Sequence, residues 1–142
     1  VYPGTCLLEG TNLSDGRGTA KPFEMIGAPW LRVRDAIHAL SLLPHEGCLF
    51  RETFYTPYSA KFRGERCRGI QIHVTDRAAF RPFETALRLL CVIRAQNPEF
   101  AYADPEFESK LFGSDALVSV KEGVIRSQPI AKPCNFLGIC GK

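Results

Sequence analysis

A chain of 142 residues is the size of one ordinary domain, and a domain of that length folds without needing disulfides or a metal. Its hydrophobic content of 45% and charged content of 23% are those of a globular protein, and no apolar run approaches the about 18 residues of a membrane span. The net charge of +3 is scattered along the chain rather than gathered in a stripe, which argues against a nucleic-acid partner.

The chain starts at Val1 with no initiator methionine and no signal-peptide pattern, so it is expected to be a piece of something longer. Residues 4–8 are short and apolar and are expected to form a strand. Residues 9–24 (EGTNLSDGRGTAKPFE) follow, with four glycines or prolines and nine polar or charged positions. A connection of that length inside a compact domain is usually functional, and Trp30 is expected to anchor its exit in the core. Val33, Ala36, Ile37, Leu40 and Leu43 recur at helical spacing and predict a helix over 31–43, closed by Pro44 and Gly47. CLFRETFYT predicts a strand over 48–56, and residues 58–68 form a charged loop.

Residues 69–76 (GIQIHVTD) alternate, with Ile70, Ile72 and Val74 on one face and Gln71, His73 and Thr75 on the other. Residues 80–96 form the clearest helix, with Phe80, Phe83, Leu87, Leu90 and Ile93 or Cys91 as its buried stripe. Two shorter helices are expected over 105–112 and 114–122, then an irregular tail over 124–142. The order describes an α+β fold: a small mixed β-sheet with two main helices packed on one face. The domain is expected to span 1–123.

The polar segment carries the strongest candidates for chemistry. Gly16 and Gly18 flank Arg17, whose planar fork suits a carboxylate or phosphate. Glu9, Asn12, Ser14, Asp15 and Thr19 add donors and acceptors suited to sugar hydroxyls, although a turn network that satisfies only itself has the same composition. GRGT is not a nucleotide fingerprint, and no cofactor motif appears. His73 with Gln71 either faces water or floors a cleft. No second ligand lies at zinc spacing from His73, so no metal is expected. Arg51, Tyr55 and Lys61 read as a solvated strand edge. The six cysteines show no C-x-x-C spacing, and Cys48 and Cys91 read as buried thiols. Neither Ser14 nor Ser114 has a nucleophile context.

The runs YPGTCLLEGTNLSDGRGT, PFE, GAPW, FRETFYTPYSAKF, GERCRGIQIHVTD and the later GSD resemble the C-terminal part of the NamZ-like exo-β-N-acetylmuramidases. The resemblance runs from Val1 to about Gly123. It implies an exported two-domain enzyme that releases N-acetylmuramic acid from the non-reducing end of peptidoglycan fragments. In that family a Rossmann-like N-terminal domain carries the catalytic glutamates, and the cleft lies between the domains. The resemblance therefore implies one wall of an active site. Arg17 would hold the muramyl lactate carboxylate, Glu9, Asn12 and Thr19 would bind hydroxyls or the acetamido group, and Gln71 and His73 would form the floor. Glu9 and His73 are the candidates for a catalytic role.

Two other readings stand beside it: a glycan-binding module without turnover, and a docking domain with no ligand of its own. A face meant for an N-terminal domain would be exposed in this chain, so self-association is expected.

Overall fold

The computed structural model describes residues 1–103 and Lys110. The chain opens with a helical turn, α1 (Tyr2–Thr5), continued by a 3₁₀ turn over Cys6–Leu8. Pro3 sits in the first turn of α1, where its missing N–H costs nothing, and Gly4 and Thr5 both donate to the Val1 carbonyl. The strand expected over 4–8 is therefore helical. A short apolar run does not distinguish the two, and here Leu7 and Leu8 are buried by a turn rather than by a ladder.

After the polar segment come β1 (Met25–Ala28), α2 (Val33–Ser41), β2 (Cys48–Tyr55), β3 (Cys67–Val74) and α3 (Pro82–Gln96). β1 was not expected from the sequence, because four residues show no readable period. The three strands form one sheet in the order β1-β3-β2, antiparallel throughout. The α+β class stands, and the two expected helices and two of the strands lie within a few residues of their predicted bounds. The expected helices over 105–112 and 114–122, and the tail, lie outside the described residues, as does the boundary at 123.

Ile26, Ala28, Cys48, Ile70 and Ile72 are buried from the sheet, and Val33, Ala36 and Leu40 from α2, which crosses β2 and β3. α3 lies against α2 and α1. Because α3 has neighbours on two sides, its buried stripe is Ala86, Leu89, Leu90, Val92 and Ile93, whereas Phe83, assigned to the stripe from the sequence, is 49% exposed. Trp30 packs, partly buried, against the core at the exit of the polar segment.

Asn97 joins the two long helices. Its side-chain amide donates to the Ile93 carbonyl at 2.8 Å, and its side-chain oxygen accepts the Arg32 N–H at 3.0 Å. One fully buried residue thus closes the end of α3 and caps the start of α2, which has no capping side chain of its own. Asn97→Ala is expected to lower the free energy of unfolding by about 2 kcal/mol, measured by urea denaturation, since a cap and a buried polar contact go together.

Cys67 is wholly buried at the start of β3. Burial, reinforced by Glu65, pushes its thiol from an ordinary 9.0 up to about 11. The folded state keeps a proton that the unfolded chain releases above pH 9.0. This contribution to stability is full below that pH and is lost as pH rises toward about 11. Urea titrations across the window should show falling stability, and Cys67→Ala should flatten that part of the slope.

Candidate functional site

Residues 9–24 fold back on themselves and against the outer edge of β1. Ser14 pairs with Gly27 as a one-residue extension of the sheet, and the Glu24 carbonyl accepts the Ile72 N–H at 2.9 Å. Gly16 and Gly18 both have positive φ, at 78° and 79°. Gly18 also touches the neighbouring loop so closely that a Cβ would stand 2.6 Å from the Ser59 carbonyl oxygen. The two glycines thus turn the chain sharply on either side of Arg17.

Arg17 is the hub of the segment. Its Nη2 donates to Glu9 Oε2 at 2.9 Å, and its Nη1 meets Asp15 Oδ2 at 3.0 Å. The guanidinium carbon lies 4.9 Å from the centre of the Phe23 ring, and Tyr2 packs edge-on against that ring at 4.6 Å. The hydrogen bond to Glu9 raises the Arg17 pKa; partial burial opposes this and the charge of Asp15 adds to it. The Asp15 side chain is only 4% exposed, Glu9 is 17% exposed and Arg17 is 47% exposed. A guanidinium has five N–H donors, so two carboxylates leave its outer edge able to meet another acceptor.

The other predicted residues serve the fold first. Asn12 donates to the Glu99 carbonyl and accepts the Ala101 N–H, tying the segment to the stretch after α3. Thr19 donates to the Gly16 carbonyl at 2.6 Å and accepts the Lys21 N–H. Gln71 is buried, and its oxygen accepts from Arg51 at 2.7 Å. Tyr55, read as a solvated edge, lies over Gly69, where a Cβ would stand 2.7 Å from its ring. Burial pushes the Tyr55 phenol well above its usual range, with Ser14 opposing.

His73 does not touch Arg17. It lines a cleft of about 570 Å³ with Lys21, Glu24, Ile72, Arg77 and Phe80. Its Nε2 is buried and has no hydrogen-bond partner among the described residues. Lys21 and Glu24, both in its lining, pair with each other at 3.0 Å. The two regions meet through residues 21–24, where Phe23 lies under Arg17 while Lys21 and Glu24 line the cleft. Sequence reasoning missed Asp15 as a buried anchor, and it missed Lys21, Glu24 and Arg77 as cleft residues. The i,i+3 spacing of Lys21 and Glu24 was the available signal.

Among the described residues no group of three or more histidine, cysteine, aspartate or glutamate side chains is placed to hold a metal. No helix among them is long and apolar enough to cross a membrane. The thiols of Cys6 and Cys48 are raised by burial, as that of Cys67 is.

The family model described as exo-β-N-acetylmuramidase NamZ, C-terminal, matches residues 1–131. A peptidoglycan β-N-acetylmuramidase NamZ from Bacillus subtilis (strain 168) is 42% identical over 115 residues, covering 80% of this chain and 28% of that protein. The fold is shared with a solved DUF1343 family protein from Bacteroides fragilis NCTC 9343, at a TM-score of 0.75 and 22% identity, covering 83% of this chain and 33% of that one. The chain therefore spans a third or less of the length of these relatives.

Removing the guanidinium would leave the buried Asp15 carboxylate without its charged partner. Arg17→Ala should cost about 2 kcal/mol of stability in urea denaturation, and Asp15→Asn in the same chain should recover part of that loss. Full additivity of the two changes would show that the pair is not coupled.

Proposed function

The chain belongs to the family of NamZ C-terminal domains, and from that premise we propose that it forms the sugar-binding wall of an exo-acting peptidoglycan muramidase. The observation that carries the reading is the half-exposed Arg17 side chain, whose guanidinium is held by two carboxylates that do not use all of its donors. An acyl-amino sugar with a lactyl carboxylate offers acceptors for the remaining donors. Glu9 lies beside it as a hydroxyl acceptor, and the cations Lys21 and Arg77 stand with His73 around the neighbouring cleft.

Hydrolysis of a glycoside usually takes two carboxyl groups on either side of the scissile bond, about 5–5.5 Å apart for retention or about 6.5–9.5 Å for inversion. Asp15 is buried in its ion pair, and Glu24 is the carboxylate lining the cleft among the described residues. Glu9 is the carboxylate that this domain has to offer next to Arg17. In this reading the rest of the catalytic set comes from another domain of the same polypeptide, and the 142-residue chain alone does not turn over substrate. An exported location follows, because peptidoglycan is an envelope polymer. Leu49, exposed on β2, is a candidate for the face that meets that other domain, or for self-association in its absence.

In the intact protein, Arg17→Lys keeps the charge but loses the fork. Its kcat/KM on a chromogenic β-N-acetylmuramide should fall about tenfold more than on the matching uncharged N-acetylglucosaminide. Equal losses would remove the carboxylate role. Titrating the 142-residue chain with N-acetylmuramic acid separates binding from docking alone: amide shifts at residues 9–24 and 71–75 support binding, and a flat spectrum supports a docking domain.

A further inference from the structure

The loop over residues 56–66 joins β2 to β3 and has Lys61 near its middle. Ala60 and Phe62 both have positive φ, at 64° and 58°, a conformation that residues other than glycine seldom adopt. Between them lies Lys61. Phe62 packs against the core, Pro57 is buried, and the Gly64 N–H donates to the Pro57 carbonyl at 2.8 Å, so the loop is closed and anchored. Two neighbouring residues in a disfavoured conformation persist only where the surroundings over-determine them.

The result is delivery of the Lys61 ammonium to the polar segment. Its Nζ donates to the Glu9 carbonyl at 2.7 Å and to the Thr11 carbonyl at 2.6 Å. The same loop reaches the segment a second time, where the Tyr58 N–H donates to the Gly18 carbonyl at 3.0 Å. These contacts bracket the Glu9–Arg17 pair: one fixes the backbone from which the Glu9 carboxylate projects, and the other fixes the turn just after Arg17. Lys61 also brings a positive charge to a cluster in which Glu9 and Asp15 outnumber Arg17.

We propose that Lys61, clasping the Glu9 and Thr11 carbonyls, is a positioning residue that sets the Glu9 carboxylate against Arg17 for sugar binding and turnover. The proposal rests on the reading that Glu9 and Arg17 face the substrate. A lysine suits this task because its ammonium is a compact charge with three donors that can serve two carbonyls at once. The long stem carries that charge across the gap between the two loops.

The test uses the intact protein with Lys61→Met, Lys61→Arg and Glu9→Gln on the chromogenic muramide. Lys61→Met keeps the stem and removes the donors. It should lower kcat about tenfold or more while KM changes by less than about threefold, and Lys61→Arg should restore much of the loss. In the Glu9→Gln background, Lys61→Met should add little, because both changes act on one group. A second readout is independent of activity: the Arg17 Nε–Hε cross-peak in the ¹⁵N spectrum of the folded protein should move in Lys61→Met and return in Lys61→Arg. A fall in thermal midpoint with kcat and the Arg17 signal unchanged would overturn the proposal, as would losses that multiply in the double variant. Full activity of Glu9→Gln would instead sink the parent reading. In that event the Arg17 signal decides whether Lys61 positions the pair: a shift upholds the positioning, and an unmoved signal rejects it.

Discussion

Asp15 holds a carboxylate that is almost wholly out of water, and the chain around it is shaped by the need to satisfy that group. Its Oδ1 accepts the Arg17 N–H at 3.1 Å, and its Oδ2 faces the Arg17 guanidinium. For one residue to supply both partners, the backbone has to turn back within two positions, which is what the positive φ of Gly16 permits. Phe23, itself at positive φ, returns its N–H to the Asp15 carbonyl at 2.6 Å and places its ring beneath the guanidinium. Burying a charge is costly unless it is paired and hydrogen-bonded, so these choices are not independent. They form one solution to one constraint, and the orientation of Arg17 toward Glu9 is its by-product.

That solution needs a rigid frame, which the regular elements supply from two directions. On one side, Ser14 extends the sheet by pairing with Gly27, so the segment inherits the register of β1. On the other, Asn12 and Gly10 bond to the stretch just after α3, where Ala101 and Ala103 answer them. That stretch starts at Asn97, the residue that ties α3 to α2. The polar segment is therefore strung between the sheet and the helical layer. A change at the helix junction reaches it through a few hydrogen bonds, without any contact to Arg17 itself.

How much of this could be read from the sequence depends on the range of the interaction. Val33, Ala36 and Leu40 announce α2 because a helix repeats every turn, and Ile70 and Ile72 announce β3 because a strand alternates. β1 escaped since four residues carry no period, and residues 4–8 were misassigned since a short apolar run fits either backbone. The prominence of residues 9–24 was legible from composition, and Arg17 between two glycines from local chemistry. What was not legible depends on residues distant in sequence. Lys61 and Arg51 looked like solvated charges until their partners Glu9 and Gln71 came from elsewhere in the chain. Phe83 fitted the helical period, yet its side chain is half exposed even though Gly4 of α1 packs against the backbone at that turn.

A segment that satisfies its own hydrogen bonds and one that recognises a ligand had the same composition, and the structure explains why they need not be alternatives. Thr19 and Asn12 spend their polar atoms on the backbone and so hold the segment in one shape. Arg17 uses part of its fork on Glu9 and Asp15, which fixes the direction in which the remainder points. A binding group held by its neighbours loses less freedom on meeting a ligand than one that must be ordered first. The internal network is thus the means by which a flexible, glycine-containing stretch can present a guanidinium and a carboxylate in a set geometry. Under the proposed function, Thr19 and Asn12 would serve recognition as much as Arg17 does, by holding its surroundings in one shape.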